Sequence, residues 1–455
     1  MQSASKINTF NALRKKHPTL IYESFNILQQ NDFITITFLF RLPDKCTFHP
    51  SYTFPIRQSE FAKINDTALQ NLTFHLGMIE MLSYWKAACP PQVIIRPAFL
   101  NAQQLTWWKN LWFKGLGEFF YLNGIEVSED DFVNFICESD STFSSFNFDT
   151  DNKIIVPVGG GKDSAVSLEL LKNSGMPVIP LMINPSRAGI DTIRKAGFAD
   201  EDLFAIKRKI DPALLRLNAE GYLNGHTPFS AMVAFTTLIA AKLTGICHIA
   251  LSNESSASEA TIPGTLINHQ YSKSLTFERD FREYVAEFIS SDFNYFSFLR
   301  PLNELQIARF LAGFPQHLPS FRSCNVGSKQ NRWCGHCPKC LFTAIMLAPF
   351  VEGEKLKAIF AKDMLDDAAL MRTLDQLSGL AAEKPFECVG TIGEVEAALK
   401  HLIEVNKKDK LPALLAMYKE RMPSGESTFE DHLHAFDEQH FLSSYFVKIL
   451  KQALL

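Results

Sequence analysis

Three successive glycines followed by Lys-Asp-Ser, at positions 159–164, form a segment that could hold phosphate. The apolar run 154–158 before them predicts a buried strand, and the residues after them predict a helix. Backbone N–H groups without a neighbouring Cβ can approach an anion closely, and a helix N-terminus adds attraction for phosphate oxygens. A glycine-rich packing turn between a strand and a helix is the alternative. We assign phosphate binding to Gly159, Gly160, Gly161, Lys162, Asp163 and Ser164.

Four cysteines in the pattern Cys-x9-Cys-x2-Cys-x2-Cys predict a metal site. Zinc is commonly held by four thiolates in a tetrahedron, and the Gly and Pro between these cysteines favour the tight turns that bring the sulfurs together. The same type of spacing also serves iron–sulfur clusters, and His336 could replace one thiol. We favour a structural zinc ion held by Cys324, Cys334, Cys337 and Cys340. We expect ordinary buried thiols at Cys46, Cys89, Cys137, Cys247 and Cys388.

The composition argues against several classes of protein. The chain has 455 residues and a net charge of -4, from 45 Lys and Arg against 49 Asp and Glu, so no basic excess favours nucleic acid. Apolar runs fall short of the roughly 18 residues of a membrane span, and the first residues lack a signal-peptide core. We therefore expect a cytoplasmic protein with small-molecule partners and reduced cysteines. The sequence carries no signal for an oligomeric state.

Strands and helices alternate after the glycine loop. Strands are predicted at 178–184, 202–208 and 247–252, and a helix at 229–243. This order predicts a parallel sheet covered by helices, with ligands at the carboxyl ends of the strands.

The remainder of the chain shows other periodicities. Alternating apolar residues between 20 and 56 predict a small antiparallel sheet, and helical spacing covers 67–88. Helical spacing also covers 102–115, where the tryptophans mark a buried face. The polar stretch 139–152 is predicted to be a linker, and the tail from about residue 343 to be mostly amphipathic helix.

The glycine loop resembles the Ser-Gly-Gly-x-Asp-Ser loop of the ATP pyrophosphatase (PP-loop) superfamily, which splits ATP to AMP and pyrophosphate while adenylating a substrate. Gly159 stands where that superfamily has its first serine. The loop and the cysteine pattern together resemble the 7-cyano-7-deazaguanine synthases, although this chain is about twice the usual length of such a domain.

Three further segments resemble a different family, the UDP-N-acetyl-α-muramoyl-L-alanyl-L-glutamate epimerases. They are 224–230, 251–259 and 268–274, and the resemblance covers most of the chain. It implies an isomerase that uses ATP and magnesium to invert the terminal L-glutamate of a UDP-muramoyl dipeptide, by way of an acyl-adenylate. AMP and pyrophosphate would be released, and the product would serve peptidoglycan synthesis.

The periodicities and resemblances together predict an α/β protein of three domains. Residues 1–148 form an N-terminal α+β domain in this prediction. Residues 149–345 form a parallel-sheet PP-loop domain that binds ATP, carries the zinc knuckle and performs catalysis, and 346–455 form a C-terminal helical region.

The polar loops supply candidate catalytic residues. Asn253 and Glu254 follow a predicted strand end, so Asn253 is assigned to nucleotide and Glu254 to magnesium or ribose. The alternative is a capping box in which Ser255 or Ser256 pairs with Glu259.

Two histidines and a lysine complete the candidate set. His226 precedes a predicted helix and would contact nucleotide or act as a base, although a lone histidine is more often structural. His269 and Lys273 would share one face if their stretch were helical, and would then move protons or bind a carboxylate. The UDP diphosphate would need cationic partners, and we assign no single residue to this role. The basic residues nearest in sequence to the predicted ATP-binding sheet are Arg187, Arg194, Lys195, Lys207, Arg208 and Lys209.

Two alternatives to the epimerase stay open at this point. The first is an enzyme like 7-cyano-7-deazaguanine synthase, or another adenylating enzyme of nucleoside or tRNA modification. The second is a non-catalytic nucleotide sensor, in which the knuckle and the helical tail bind a protein partner. The Asp163-Ser164 pair and the additional polar loops favour catalysis over sensing.

Overall fold

The computed structural model describes residues 2–56, 66–259, 261, 268–406, 410–422 and 428–455. Within these ranges the strands are β1 (Thr19–Gln30), β2 (Phe33–Leu42), β3 (Cys46–Phe48), β4 (Ser51–Pro55), β5 (Gln92–Ile95), β6 (Asn134–Cys137), β7 (Asp151–Pro157), β8 (Val178–Ile183), β9 (Phe204–Lys209), β10 (Ile246–Leu251) and β11 (Asn294–Ser297).

The helices of the first half are α1 (Gln2–Lys16), α2 (Thr67–Ala88), α3 (Ala102–Gly115), α4 (Gly117–Asn123), α5 (Lys162–Leu171), α6 (Arg187–Lys195), α7 (Pro212–Ala219) and α8 (Phe229–Thr244). Those of the second half are α9 (Leu275–Phe288), α10 (Glu304–Gly313), α11 (Pro338–Leu347), α12 (Gly353–Phe360), α13 (Met371–Leu377), α14 (Ile392–Val405), α15 (Ala413–Lys419), α16 (Phe429–His434) and α17 (Ser444–Leu454).

The chain folds into two compact units and passes between them repeatedly. Unit 1 comprises Met1–Ile155, Phe204–Ile249 and Tyr271–Tyr295. Unit 2 comprises Val156–Leu203, Ala250–Gln270 and Phe296–Leu455. The glycine loop and the cysteine pattern therefore belong to the same unit.

Unit 1 contains a mixed sheet with the strand order β6-β5-β1-β2-β4-β9. The predicted antiparallel sheet is confirmed, because β2 pairs antiparallel with β1, β3 and β4. In β2 the alternation buries Ile34, Ile36, Phe38 and Phe40 on one face, as expected for a half-buried strand. The predicted strand at 202–208 is also present, as β9, and it pairs antiparallel with β4.

Helix α2 is the buried axis of unit 1. It has the predicted bounds, and Asp66 caps it by accepting a hydrogen bond from the Ala68 N–H. Nearly every residue of α2 is buried, which explains why its apolar residues show no single face. Trp108 and Trp112 of α3 are completely buried, which confirms that they form part of the core, whereas Trp107 is only partly buried.

A buried ion pair links α2 to the edge of this sheet. Arg208 of β9 donates two hydrogen bonds of 2.9 Å to the carboxylate of Glu80, and the Tyr52 hydroxyl donates a third at 2.8 Å. Glu80 is completely buried. Removal of one member of such a pair would leave a buried charge without a partner. Arg208 therefore has a structural role in unit 1.

Parallel strands lead to the glycine loop. β7 and β10 pair in parallel, with Ile155 opposite Ile249. In unit 2 the N–H of Val158 donates to the carbonyl of Leu181 in β8, and the N–H of Phe298 donates to the carbonyl of Leu251 in β10. The predicted helix at 229–243 is confirmed as α8. The chain is therefore a mixed α/β protein with a largely parallel central sheet.

The tail is helical, as predicted, and it packs against the remainder of unit 2. Phe446 of α17 is buried, with its ring centroid 4.5 Å from that of Phe296. Asn303 and Gln306, at the start of α10, donate to backbone carbonyls of His432 and Ala435 at 2.6 and 2.7 Å. Across the described ranges, we find no helix with the length and hydrophobicity that a membrane crossing requires.

Four of the five thiols outside the cysteine pattern differ from the prediction. Cys89 is buried, as expected. The others are only partly buried: Cys46, Cys137, Cys247 and Cys388.

Candidate functional site

The glycine loop forms a tight turn between β7 and α5. Gly160 has a φ of +87°, and a Cβ there would lie 2.5 Å from the backbone nitrogen of Gly189, so only glycine fits. Gly161 is the N-cap of α5 and provides no side-chain cap, so the first N–H groups of the helix lack a side-chain partner. Ser164 lies in the first turn, and its hydroxyl donates to the Gly161 carbonyl at 3.2 Å. This arrangement suits an anion.

Gly159 is the one loop position with room for a side chain. It is exposed, and a Cβ built on it would meet no heavy atom within 4 Å. Its φ is outside the positive region in which Gly160 lies. Sterics therefore do not explain why this chain has glycine where the PP-loop pattern has serine.

Lys162 is completely buried and lies among carboxylates. Its ammonium forms ion pairs with Asp163 and Glu304. Burial alone would lower the pKa of Lys162, but Asp163, Glu304 and Glu254 together raise this pKa above its ordinary value, so the ammonium stays charged. Lys162 therefore offsets the charge of buried carboxylates next to the loop.

Glu304 is the most perturbed carboxyl group of this cluster. Its side chain is 3% exposed. Burial raises the pKa of Glu304 to about 8, with contributions from Asp163 and Glu254 and against the opposing effect of Lys162. Lys162 and Lys339 both oppose this rise in the pKa of Glu304. Several carboxyl groups close together provide the oxygen ligands that divalent cations prefer.

Glu254 and Glu394 lie beside the same cluster. Glu254 is buried, and its Oε1 accepts a hydrogen bond of 2.8 Å from the Ser256 hydroxyl. The capping-box alternative is wrong, since the turn Ser255–Ser258 is a 3₁₀-helix without a side-chain cap. Glu394 caps α10 by accepting from the Glu304 N–H at 2.6 Å, and burial raises the pKa of Glu394.

Sequence reasoning missed Glu304 and Glu394. In the sequence both look like first-turn acids of helices, and each does lie in a capping arrangement. Only the fold brings them to the loop, so no local motif identifies them. Asn253, which was predicted, follows β10 and donates from Nδ2 to the Ser297 hydroxyl at 3.0 Å.

His226 lies in unit 1 and pairs with a carboxylate. Its Nδ1 is 3.2 Å from Oε2 of Glu118, which orients the ring. Lys86 holds the same loop by donating to the Gly225 carbonyl and, at 2.6 Å, to the Thr227 hydroxyl. Burial lowers the pKa of Lys86 to about 8. An imidazole paired in this way can act as a general base.

His269 and Lys273 do not share a helical face. His269 lies in a turn of unit 2, where its N–H donates to the Thr261 hydroxyl at 3.0 Å. Lys273 belongs to unit 1 and ends the 3₁₀-helix Tyr271–Lys273. The condition for a shared helical face is therefore not met, because His269 lies in a turn and Lys273 in a 3₁₀-helix.

The four predicted cysteines come together in unit 2. All four sulfurs lie within 4.8 Å of one another. Three of the sulfur–sulfur separations are 3.7 Å (Cys324 to Cys337), 3.7 Å (Cys334 to Cys340) and 3.5 Å (Cys337 to Cys340). A tetrahedral ion with metal–sulfur bonds of about 2.3 Å separates its ligands by roughly 3.8 Å, so the thiols fit such an ion. His336 is exposed, and its Nδ1 bonds to the Cys334 carbonyl.

The cysteine cluster and the glycine loop are joined by a short segment. The N–H of Arg322 donates to the Gly160 carbonyl at 2.8 Å, and Cys324 belongs to the cluster. Between them, Ser323 lies against Gly161. Folding therefore places a potential metal ligand, Cys324, two residues after Arg322, which contacts the glycine turn.

Comparisons with known proteins match most of the chain. Residues 11–298 match the family model described as the MurL N-terminal domain, and 320–432 match the MurL C-terminal domain. The chain is 36% identical to a protein of Xanthomonas oryzae pv. oryzae over 343 residues, 74% of this chain and 75% of the relative. It is 35% identical to a protein of Salinispora tropica over 357 residues, 75% of each chain. Both relatives are named UDP-N-acetyl-alpha-D-muramoyl-L-alanyl-L-glutamate epimerase.

Proposed function

This chain belongs to the MurL family, and on that premise we propose that it inverts the terminal L-glutamate of UDP-N-acetylmuramoyl-L-alanyl-L-glutamate to D-glutamate. The product would be a precursor of peptidoglycan. The observation that carries this proposal is the similarity to epimerases over about three quarters of the chain.

The reaction needs activation because the Cα proton beside a free carboxylate is a very weak acid. In the proposed mechanism, the glutamyl carboxylate attacks the α-phosphate of ATP and pyrophosphate leaves. The acyl-adenylate that forms carries less negative charge at the carboxyl carbon, so a base of moderate strength can remove the Cα proton. Return of a proton from the opposite face inverts the centre, and water then releases AMP.

The ATP phosphates would lie at the turn 159–161 and the N-terminus of α5. The support for this placement is the side-chain-free turn, the N-cap without a side-chain bond, and the fit of Gly160 to a φ that other residues avoid. Asn253, at the end of β10, would contact the nucleotide from a neighbouring strand end.

Magnesium would be held by carboxylates beside the loop. Asp163, Glu254 and Glu304 are the candidate ligands, since all three act on Lys162 and offer the oxygen atoms that this ion prefers. When bound, the ion would neutralise charge on the phosphates. The residues themselves fix the position of the loop through the ion pairs of Lys162.

Proton transfer at Cα would use His226 as one base, oriented by Glu118. Inversion with two bases requires a second group on the opposite face of the substrate. His269 and Lys273 are the other candidates from the polar loops.

The cysteine cluster would bind a structural zinc ion. All four candidate ligands are sulfurs, and their spacing suits a closed tetrahedral site without an open position for a substrate. An iron–sulfur cluster is the competing occupant.

Product analysis tests the overall reaction. The purified protein is incubated with ATP, magnesium and UDP-N-acetylmuramoyl-L-alanyl-L-glutamate, and the glutamate is released and analysed on a chiral phase. We expect D-glutamate, with AMP and pyrophosphate formed only when the dipeptide substrate is present. Formation of ADP would contradict the adenylation step, and the absence of D-glutamate would contradict the proposal.

Deuterium exchange separates the base from the nucleotide contacts. In ²H₂O, a His226→Gln variant should lose exchange at Cα by at least about 100-fold, the usual contribution of a general base. Pyrophosphate release in a single turnover should persist. His434→Gln changes an exposed histidine and serves as the matched control. Unaltered exchange in His226→Gln would remove this residue from the mechanism, and the same assay applies to His269→Gln.

A further inference from the structure

Ser323 lies outside the glycine loop but faces it. Its Oγ lies 2.9 Å from the point that a Cβ on Gly161 would occupy. The residue before it, Arg322, donates its backbone N–H to the Gly160 carbonyl. The Ser323 hydroxyl is therefore held against the turn from which α5 begins.

The Ser323 hydroxyl also differs from the other hydroxyls of its segment. Ser320 donates to the His317 carbonyl at 3.2 Å, and Ser328 donates to the Asn325 carbonyl at 2.9 Å. Over the ranges that the structure describes, no hydrogen bond occupies the hydroxyl of Ser323. Since this side chain is only half-buried, its hydroxyl is available to a ligand at the loop.

Both chain neighbours of Ser323 are fixed. Arg322 is held by Gly160, as described above. Cys324 is buried, its sulfur accepts a hydrogen bond of 3.2 Å from the Gly327 N–H, and it belongs to the cysteine cluster. A hydroxyl between two fixed backbone positions loses little entropy when it binds.

We propose that Ser323 is a phosphate-binding residue of the nucleotide site, with its hydroxyl donating to a phosphate oxygen of ATP. Ser323, which directly precedes Cys324 of the cysteine cluster, supplies the hydroxyl that the loop itself lacks at Gly159. This inference rests on the proposed function, which places ATP at the loop.

A direct binding measurement tests the role of Ser323. Calorimetric titration of the full chain with magnesium and a non-hydrolysable ATP analogue gives the affinity without turnover. Loss of a hydrogen bond to a charged group weakens binding by roughly 10- to 100-fold, and we expect a change in this range for Ser323→Ala. Ser328→Ala removes a hydroxyl of the same segment that is already bonded to the backbone, and it serves as the matched control.

A second variant tests whether one hydroxyl replaces the other. The open space at Gly159 accepts a serine side chain without a clash. We expect Gly159→Ser to restore most of the lost affinity for the ATP analogue in the Ser323→Ala background. In the wild-type background, the same substitution should increase the affinity by a smaller factor. The coupling between the two positions follows from a double-mutant cycle.

The outcomes distinguish this inference from the proposed function. If the wild-type chain does not bind the analogue, the ATP-dependent function fails. If the wild type binds and Ser323→Ala binds equally well, only the role of Ser323 is overturned. If Ser323→Ala is weak but the double variant does not recover, replacement of the loop hydroxyl is overturned. A thermal unfolding midpoint of Ser323→Ala equal to that of the wild type would show that the variant is folded.

Discussion

Gly160 and Gly159 are adjacent glycines with opposite tolerance for a side chain. Gly160 has positive φ and lies against the backbone of Gly189, whereas Gly159 faces open space. We predict that Gly160→Ala lowers the free energy of unfolding by roughly 2–4 kcal/mol, because strain and overpacking add. Gly159→Ala should change it by less than about 0.5 kcal/mol. Urea unfolding measures the free energy of unfolding of both variants. Equal decreases for Gly160→Ala and Gly159→Ala would contradict the geometry described for the loop.

Glu304 should make the stability of the protein depend on pH. Its pKa in the folded state is raised from the ordinary 4.5 to about 8. A group with a raised pKa contributes its full stability below the unfolded value, and that contribution is lost as the pH rises through the folded value. Stability should therefore fall between about pH 5 and 8 by up to about 1.4 kcal/mol per pH unit from this group.

Glu304→Gln tests this dependence, because an amide of the same shape does not titrate. We expect the variant to show a shallower decrease of unfolding free energy between pH 5 and 8 than the wild type. Glu352→Gln, at a glutamate with 78% of its side chain exposed, is the control and should leave the slope unaltered. An identical slope in Glu304→Gln would show that another group is responsible.

At the residue scale, the sequence identified the groups that form contiguous motifs. The loop 159–164 and the four cysteines were found from spacing alone, and the cysteines do come together. Glu304, Glu394 and Ser323 were missed because they reach the loop from distant parts of the chain. Burial and tertiary contacts determine the properties of these side chains, and a local sequence pattern contains neither.

The cysteine cluster is an element whose stability should depend on a metal. We predict that Cys340→Ser abolishes bound metal and lowers the unfolding free energy by at least about 3 kcal/mol, since loss of a structural metal is among the most damaging single changes. Binding of ATP should weaken as well, because Arg322 and Ser323 directly precede Cys324. Elemental analysis gives metal content, and visible absorption distinguishes an iron–sulfur cluster from colourless zinc.

Cys46→Ser is the matched control for this experiment. Cys46 is a free, partly buried thiol of β3 outside the cluster. Full metal content and near-native stability are expected for it. If Cys340→Ser kept one metal ion per chain, the assignment of the cluster as the metal site would be wrong.

Elements with clear boundary signals were predicted well, and strand pairings were not. Helix α2 has the predicted bounds because Asp66 caps its start and Pro90 and Pro91 follow its end. The antiparallel pairing of β9 with β4 was not predicted, since the sequence of a strand does not reveal which neighbours it pairs with. The stretch 268–273 was too short for its period to separate an α-helix from a 3₁₀ turn.

At the scale of the whole molecule, the division into segments 1–148, 149–345 and 346–455 stays a prediction. The contacts of unit 2 predict that its tail and its glycine loop unfold together. Phe446 of α17 is buried against Phe296, and α17 packs on α5. We expect Phe446→Ala to cost roughly 3–5 kcal/mol, with Lys448→Ala, an exposed neighbour, near zero.

Native-state hydrogen exchange measures this cooperativity. In Phe446→Ala, amides of α5 should lose protection by the same factor as those of α17. Loss of protection confined to 346–455 would instead favour a separate C-terminal domain.

The repeated passage of the chain between its two units also constrains how such a gene can change. Each unit is assembled from three separate stretches of sequence. A single recombination event exchanges one continuous stretch, and any stretch that contains all of one unit also contains segments of the other. Neither unit can therefore be expressed alone as one uninterrupted fragment of this chain. We expect the two units to be inherited and duplicated together.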